Sequence, residues 1–290
     1  MDISEQLIHT TVRIESIDRQ NRPHSGTGFF FNFPVEGNVQ VRVIVTNRHV
    51  LESMQSISIS LTVADSQDAP LYGQHERIQI SDIQGAVLYH NDPAVDLAII
   101  FAEVIFGVMR RMGKPAFTRA VGTDLLPSDE LIKSMMAFED VVMVGYPNGL
   151  WDAVNNLPLI RRGYTATPFV RDFNGRKEFV IDAACFPGSS GSPVYLYNQG
   201  SYSTPTDVVL GGSRVALLGI LFGGPQVTVQ GQIVIAAIPT GMQAMPVTVS
   251  HHPNHLGYCI KSSRILDFEP VVRERALAEI RSSSIANEST

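Results

Sequence analysis

The sequence predicts an all-β protein, a barrel or a sandwich, and three observations carry that expectation. Apolar and polar residues alternate strictly in several segments, the period-two signature of a strand with one buried face. Other segments are short, wholly apolar and β-branched, bounded by Gly, Asn or Pro, as buried strands are. Turn formers are plentiful, with 23 Gly and 17 Pro in 290 residues, whereas helical periodicity is scarce.

Taken in order, Thr11-Val12-Arg13-Ile14-Glu15 is the first alternating segment and Val41 to Val45 the first buried run. Phe29-Phe30-Phe31 reads as strand core rather than as an apolar edge for association. Ile57 to Val63 and Ile78-Gln79-Ile80 alternate and are expected to be half-buried strands. Leu97 to Phe101, Val141 to Val144 and Ala216 to Phe222 complete the buried runs. Between Gly107 and Met136 the pattern loosens, around Gly-Lys-Pro at 113–115 and Leu-Pro-Ser-Asp-Glu at 126–130, which marks a connection between two halves. Residues 1–115 and 116–264 are expected to form the two β domains. Pro270 to Arg281 combines good helix formers, a proline tolerated in the first turn and a basic close, which predicts one helix. The serine-rich tail from Ser282 is expected to fray, so 265–290 forms a separate terminal segment.

Hydrophobic residues make up 44% and charged residues 17%, ordinary for a globular chain. Twenty-two Lys and Arg against 28 Asp and Glu leave a net charge of −6. That excludes the basic footprint of a nucleic-acid binder, and a protein or peptide partner is expected instead. No apolar run approaches the roughly 20 residues that cross a bilayer, so no membrane partner is expected. The amino terminus lacks a basic flank and an apolar run ending in small residues. Cys185 and Cys259 allow at most one disulfide, so the expected address is the reducing cytoplasm. No metal is expected: His251, His252 and His255 have no acid or thiol at matching spacing and read as a polar loop.

The chemistry gathers around Phe186-Pro187-Gly188-Ser189-Ser190-Gly191-Ser192-Pro193, which sets Ser190 in Gly-x-Ser-Gly between two prolines. Flanking glycines let the backbone turn tightly and bring amide N–H groups close to a substrate carbonyl. A nucleophilic serine also needs a base and a group that orients the base. His49 follows a buried run, where a strand-end loop presents an imidazole, and Asp96 opens another buried run. Taken singly, each has a plain structural reading: a surface turn, a packed histidine, a strand-edge acid. Their order along one chain, His, Asp, Ser, joins them as a catalytic candidate. Cys185 lies outside the Gly-x-x-Gly turn and is rejected as a nucleophile.

These motifs resemble the trypsin-like (chymotrypsin-fold) serine peptidases, and among them the HtrA/Deg-type protease domain. The resemblance rests on Ser25-Gly26-Thr27-Gly28-Phe29-Phe30, Thr46-Asn47-Arg48-His49-Val50 and Asp96-Leu97-Ala98-Ile99. It continues through Val144 to Leu150, Asp182 to Pro193, Gly219 to Gly224 and Leu256 to Ile260, in register over nearly the whole chain. It implies two six-stranded antiparallel β-barrels with the active site between them, His49 and Asp96 from the first and Ser190 from the second. It implies a serine endopeptidase acting through an acyl-enzyme, with an oxyanion hole at the backbone N–H groups of Gly188 and Ser190 and no cofactor.

The specificity pocket of the resembled family maps onto Ala184 and Cys185, onto Phe222, Gly223 and Gly224, and onto Gly257 to Cys259. Alternation along a strand puts Gly257 and Cys259 on one face and Tyr258 on the other, so both cysteines are expected to line the pocket. No acid stands there to meet a buried Lys or Arg, so cleavage after small or medium apolar residues is expected. Trp151 falls in a loop that the family places near the cleft, where packing against the barrel is its plain reading. The chain departs from the family in having no room for a PDZ-like module after Ser262, no Ile-Val-Gly-Gly start, and Ser192 where glycine is common. A different class of function therefore stays open, a catalytically latent binding or scaffold module that recruits or awaits a regulatory protein.

Overall fold

The computed structural model describes residues 1–81, 83, 85–232, 247–253 and 255–288. The first half is one antiparallel sheet of seven strands: β1 (Thr11–Asp18), β2 (Pro23–Glu36), β3 (Val39–Thr46), β4 (Met54–Ala64), β5 (Pro70–Ile80), β6 (Val87–Tyr89) and β7 (Ala98–Phe101). Their spatial order is β5-β4-β1-β2-β3-β7-β6. The second half contains β8 (Asp140–Gly145), β9 (Leu159–Thr165), β10 (Glu178–Asp182) and β11 (Pro193–Asn198). It goes on with the hairpin β12 (Ser201–Ser203) and β13 (Val208–Leu210), then β14 (Arg214–Gly223), the hairpin β15 (Gln226–Gln232) and β16 (Val247–Pro253), and β17 (Leu256–Lys261). Six of these close a barrel in the order β10-β17-β14-β11-β8-β9. Short helices α1 (Ile3–Ile8), α2 (Arg48–Leu51), α3 (Glu103–Arg111) and α4 (Asp129–Ser134) punctuate the strands, and α5 (Glu269–Glu288) follows them.

One closed six-stranded barrel is therefore present, but the first half departs from the expected second one. Among the described residues no ladder joins β5 to β6. At three residues, β6 offers its free edge too few ladder positions to hold an eleven-residue closing strand.

The strands form where alternation meets a core on each side. In β2, Phe29, Phe31 and Phe33 face a core shared with Val144, Tyr195, Leu217 and Ile260 of the barrel, while Phe30 faces Ile14, Ile44 and Leu51 inside the first half. All four phenylalanines are fully buried, each stabilising by about 1.5–3 kcal/mol. The barrel interior holds Val141, Met143, Phe179, Ile181, Val194, Leu196 and Leu218.

Three expectations change. β4 is not half-buried: Ser56, Ser58, Ser60 and Thr62 are buried as well as its apolar residues. The loop before β9 meets the far part of this strand, Asn156 Nδ2 donating to Ser60 O and Thr62 Oγ1. The connecting segment is not loose, because Phe117 N–H donates to Thr62 O and Val121 N–H to Phe30 O, laying 116–121 along the first sheet. Nor does the helix stop before Ser282. That hydroxyl donates to Ala278 O at 2.9 Å, satisfying itself within the helix, and α5 runs on to Glu288. No helix among the described residues is long and apolar enough to cross a membrane.

Candidate active site

His49 stands on α2, a single helical turn that β3 delivers directly, rather than in an open loop. The buried Asn47, just before this turn, links it to the acid, its Nδ2 donating to Asp96 O at 2.8 Å. Asp96, one residue before the buried Leu97, turns its carboxylate to His49 twice. Oδ1 accepts the His49 backbone N–H at 2.9 Å and Oδ2 meets His49 Nδ1 at 2.5 Å. Nδ1 is thus the ring nitrogen that faces the carboxylate, and Nε2 lies on the other side of the ring.

A second histidine braces this acid from behind. The His90 N–H donates to Leu97 O at 3.0 Å, and Arg48 Nη2 donates to His90 O at 2.5 Å, tying the segment before β7 to the turn that carries His49. Asp92 N–H donates to His90 Nδ1, so His90 Nε2 holds the proton and gives it to Asp267 Oδ2 at 2.9 Å. Phe268 packs edge-on against the same ring at 5.4 Å.

Ser190 is half-buried in the turn that enters β11. Gly188 (φ +87°) and Gly191 (φ +89°) give this turn its shape, and both lie in the left-handed region. A Cβ on Gly188 would meet Tyr146 O at 2.7 Å, and one on Gly191 would collide with Thr27 O, so close packing excludes side chains at both. Thr27 of β2 joins the turn to the first half: its N–H donates to Ser190 O at 2.8 Å and its Oγ1 to Gly188 O at 2.9 Å. Thr46, three residues before His49, donates to Thr27 O at 2.7 Å. Sequence reasoning singled out neither Thr27 nor Asn47, though both lie within the quoted Ser-Gly-Thr-Gly and Thr-Asn-Arg-His runs.

The Gly188 and Ser190 N–H groups bond to no other described residue. The Pro187 carbonyl is held by Asn148 N–H at 2.5 Å, and in a trans peptide the next N–H points the opposite way. The Gly188 donor is thus turned away from Asn148. No hydrogen bond joins the Ser190 hydroxyl to His49 in this structure.

Beside Ser190 lies a cavity of about 180 Å³ lined by Cys185, Phe186, Pro187, Leu221, Gly223, Gly224, Pro225 and Leu256. That is below the 300–1,000 Å³ or so of small-molecule pockets and on the scale of one side chain. Of the mapped wall residues, Cys185, Gly223 and Gly224 line it, whereas Ala184, Phe222, Gly257 and Cys259 do not. Gly257 backs the wall, since a Cβ there would come within 2.6 Å of Cys185 Sγ and Leu221 Cδ1. The expectation that both cysteines line the pocket fails for Cys259. It sits fully buried in the barrel core, paired across the ladder with Phe179 and Leu221. Tyr258, on the opposite face, packs near Phe222 and Phe173.

Among the described residues the cavity walls carry no acid. The Arg161 guanidinium lies 5.3 Å over the Phe186 ring. Burial pushes the Cys185 thiol up to about 12, Arg161 pulling it down and Asp182 pushing it further up by smaller amounts. Trp151 packs at the boundary of the halves, under the Arg13 guanidinium at 5.0 Å and edge-on to His75 at 5.7 Å. The side chains of His251 and His252 lie outside the described residues. No group of metal-binding side chains occurs among those described.

A β sheet packed on a β barrel, with an acid–imidazole pair on one and a glycine-flanked serine turn on the other, defines the class of chymotrypsin-like hydrolases. The sequence matches the trypsin-like peptidase domain over residues 26–202, and the chain belongs to that family of serine peptidases. No curated protein sequence matches it. Among solved structures it is similar to the active form of the Rv3671c protease from M. tuberculosis, at 15% identity over 91% of this chain and 80% of that one, with a TM-score of 0.43. It is similar also to the HtrA-type protease AlgW with a tripeptide (16% identity, 94% and 62% covered, TM-score 0.48) and to Deg5 (16%, 77% and 87%, 0.41).

Proposed function

We propose that this peptidase is an endopeptidase that cuts protein or peptide chains through Ser190, His49 and Asp96. Asp96 holds the Nδ1–H of His49, which leaves Nε2 free to take the Ser190 hydroxyl proton during attack on the scissile carbonyl. The imidazolium then hands that proton to the leaving amine, and water releases the acyl group from Ser190 by the same route. The Gly188 and Ser190 N–H groups receive the oxyanion, each worth about 3–4 kcal/mol of barrier. The observation that carries the reading is the Pro187–Gly191 turn. Its carbonyls are engaged by Thr27 and Asn148 while the two mapped donors bond to no other described residue.

The acyl-side residue enters the cavity lined by Cys185 and Leu221, and the reading favours a small or medium apolar side chain. The support is the absence of an acid in the walls and the cation of Arg161 near Phe186. Substrate backbone adds to the edge at Phe222 to Gly224 as an antiparallel strand. In this reading the seven-stranded sheet stands in for the first barrel of the fold, 265–290 is a terminal segment, and the boundary expected between 115 and 116 moves past Val121, because 116–121 bond to the first sheet. Two buried free cysteines support a reducing, cytoplasmic address.

The competing reading, a latent scaffold awaiting a partner protein, is favoured by the missing Ser190–His49 hydrogen bond. Unliganded sites commonly hold such contacts long until substrate arrives, so that observation weighs less than the open donors. A fluorophosphonate probe separates the two. Labelling that vanishes in Ser190→Ala marks a formed catalytic centre, and no labelling under any condition assigns the fold to a scaffold.

A further inference from the structure

A second cavity shares no lining residue with the one beside Ser190. It is an open groove of about 1,070 Å³ between α3, the β2–β3 hairpin and α5. Its floor includes Phe101, at the end of β7, and Phe106 of α3. Small-molecule pockets run to about 1,000 Å³ and enclose most of their ligand. This groove is slightly larger and partly open to solvent, which suits a length of polypeptide.

Two independent features define what would lie in it. The first is charge. Among the described residues, Arg42, Arg110, Arg111 and Arg275 line the groove against Glu103 and Glu279, in a chain whose net charge is −6. Arg110 pairs with Glu103, and Arg275 pairs with Glu279 while stacking 4.0 Å over Phe101. Arg42 donates to the neutral Asn32 and Thr118, and neither it nor Arg111 has a carboxylate partner among the described residues. Two guanidinium charges are thus left for an incoming anion. The second feature is apolar exposure. Val39, Val104 and Ile280 are 45%, 45% and 42% exposed, and all three line this groove. An apolar surface rimmed by charge is the signature of an interaction site.

We propose that the groove is a docking site for an acidic segment of a partner protein, one that presents carboxylates to Arg42 and Arg111 and apolar side chains to Val39, Val104 and Ile280. Two spare cations are too few for a nucleic acid, whose binding typically engages several phosphates at once. An acidic peptide satisfies both features. The site lies at the far end of the strand that begins just after Asp96, so it captures a partner without filling the cleft. It stands whether or not Ser190 is catalytic.

The test uses the full chain carrying Ser190→Ala, to prevent cleavage, and a short fluorescein-labelled peptide alternating glutamate with leucine and phenylalanine. Fluorescence anisotropy is expected to show saturable binding that weakens with added salt, and that falls by about tenfold in Arg111→Glu. Val104→Ser, which keeps every charge, is expected to weaken it also. Labelling of the Ser190 protein by a fluorophosphonate is expected to be unchanged by Arg111→Glu, which separates failure of the groove from failure of the catalytic reading. No saturable binding, equal binding of the same peptide with lysine for glutamate, or indifference to both variants would overturn the proposal. Concentration-dependent dimerisation lost in Arg111→Glu would also overturn it, by assigning the groove to a second copy of the chain.

Discussion

Asp96→Asn is a sharp perturbation, because the carboxylate fills two acceptor positions at once. Oδ1 takes the His49 backbone N–H at 2.9 Å and Oδ2 faces His49 Nδ1 at 2.5 Å. Asparagine offers one acceptor and one donor at those places. With its oxygen toward Nδ1, its amide group would confront the backbone N–H, donor against donor, at a cost of about 1–3 kcal/mol. Turned the other way it keeps the backbone bond, and the imidazole must move its proton to Nε2. A tautomer change is cheaper than two opposed donors, so the second arrangement wins. The nitrogen that should accept the Ser190 proton is then already occupied. Turnover is expected to fall about 10⁴-fold, or about 5.4 kcal/mol at 1.36 kcal/mol per tenfold. Stability should change little, since Asn47 bonds to the Asp96 main chain. Hydrolysis of a fluorogenic peptide amide measures kcat, and a urea titration checks the fold. Turnover within tenfold of the parent, in a variant with an unchanged unfolding midpoint, would refute the assignment.

Three further outcomes rest on the same packing. With its thiol pushed up to about 12, Cys185 is expected to resist iodoacetamide near pH 8 in the native protein and to react once unfolded; rapid native alkylation followed by mass spectrometry would contradict its burial. Glu139 and Arg214 form a buried pair at 2.7 Å, so Arg214→Ala should cost about 3–5 kcal/mol at neutral pH. Burial pushes the Glu139 carboxyl up in the folded state, so the folded chain holds that proton more tightly than the unfolded one. The loss should therefore shrink as pH falls through the raised value, and urea midpoints that differ by the same amount in acid and at neutrality would count against it. A peptide library should show cleavage after small and medium apolar residues, and dominance of Lys or Arg at that position would refute the cavity assignment.

Local pattern and long-range contact divide what this sequence discloses from what it conceals. Alternation located β1 and the core of β4, and β-branched runs located β3, β7, β8 and β14, because each depends on residues within one strand. The glycines around Ser190 were legible for the same reason, since a left-handed turn is written in the residues that make it. The polar contact at Ser60 and Thr62 was not, because Asn156, almost a hundred residues later, supplies it. The same distinction explains Cys259. Alternation correctly separated it from Tyr258, but which end of that face meets the cavity depends on where Leu221 and Cys185 interpose, a matter of barrel closure.

The brace behind Asp96 is the extreme case. His90 and Asp267 lie 177 residues apart, and neither sits in a run that marks it. Yet their contact ties the segment that follows β17 back to the loop that carries the acid, through the Arg48–His90 bond on one flank and the Leu97 carbonyl on the other. A carboxylate that must hold an imidazole within a few tenths of an ångström needs its own backbone held at least as firmly. Part of that support comes from Asp267, far along the chain, through its contact with His90.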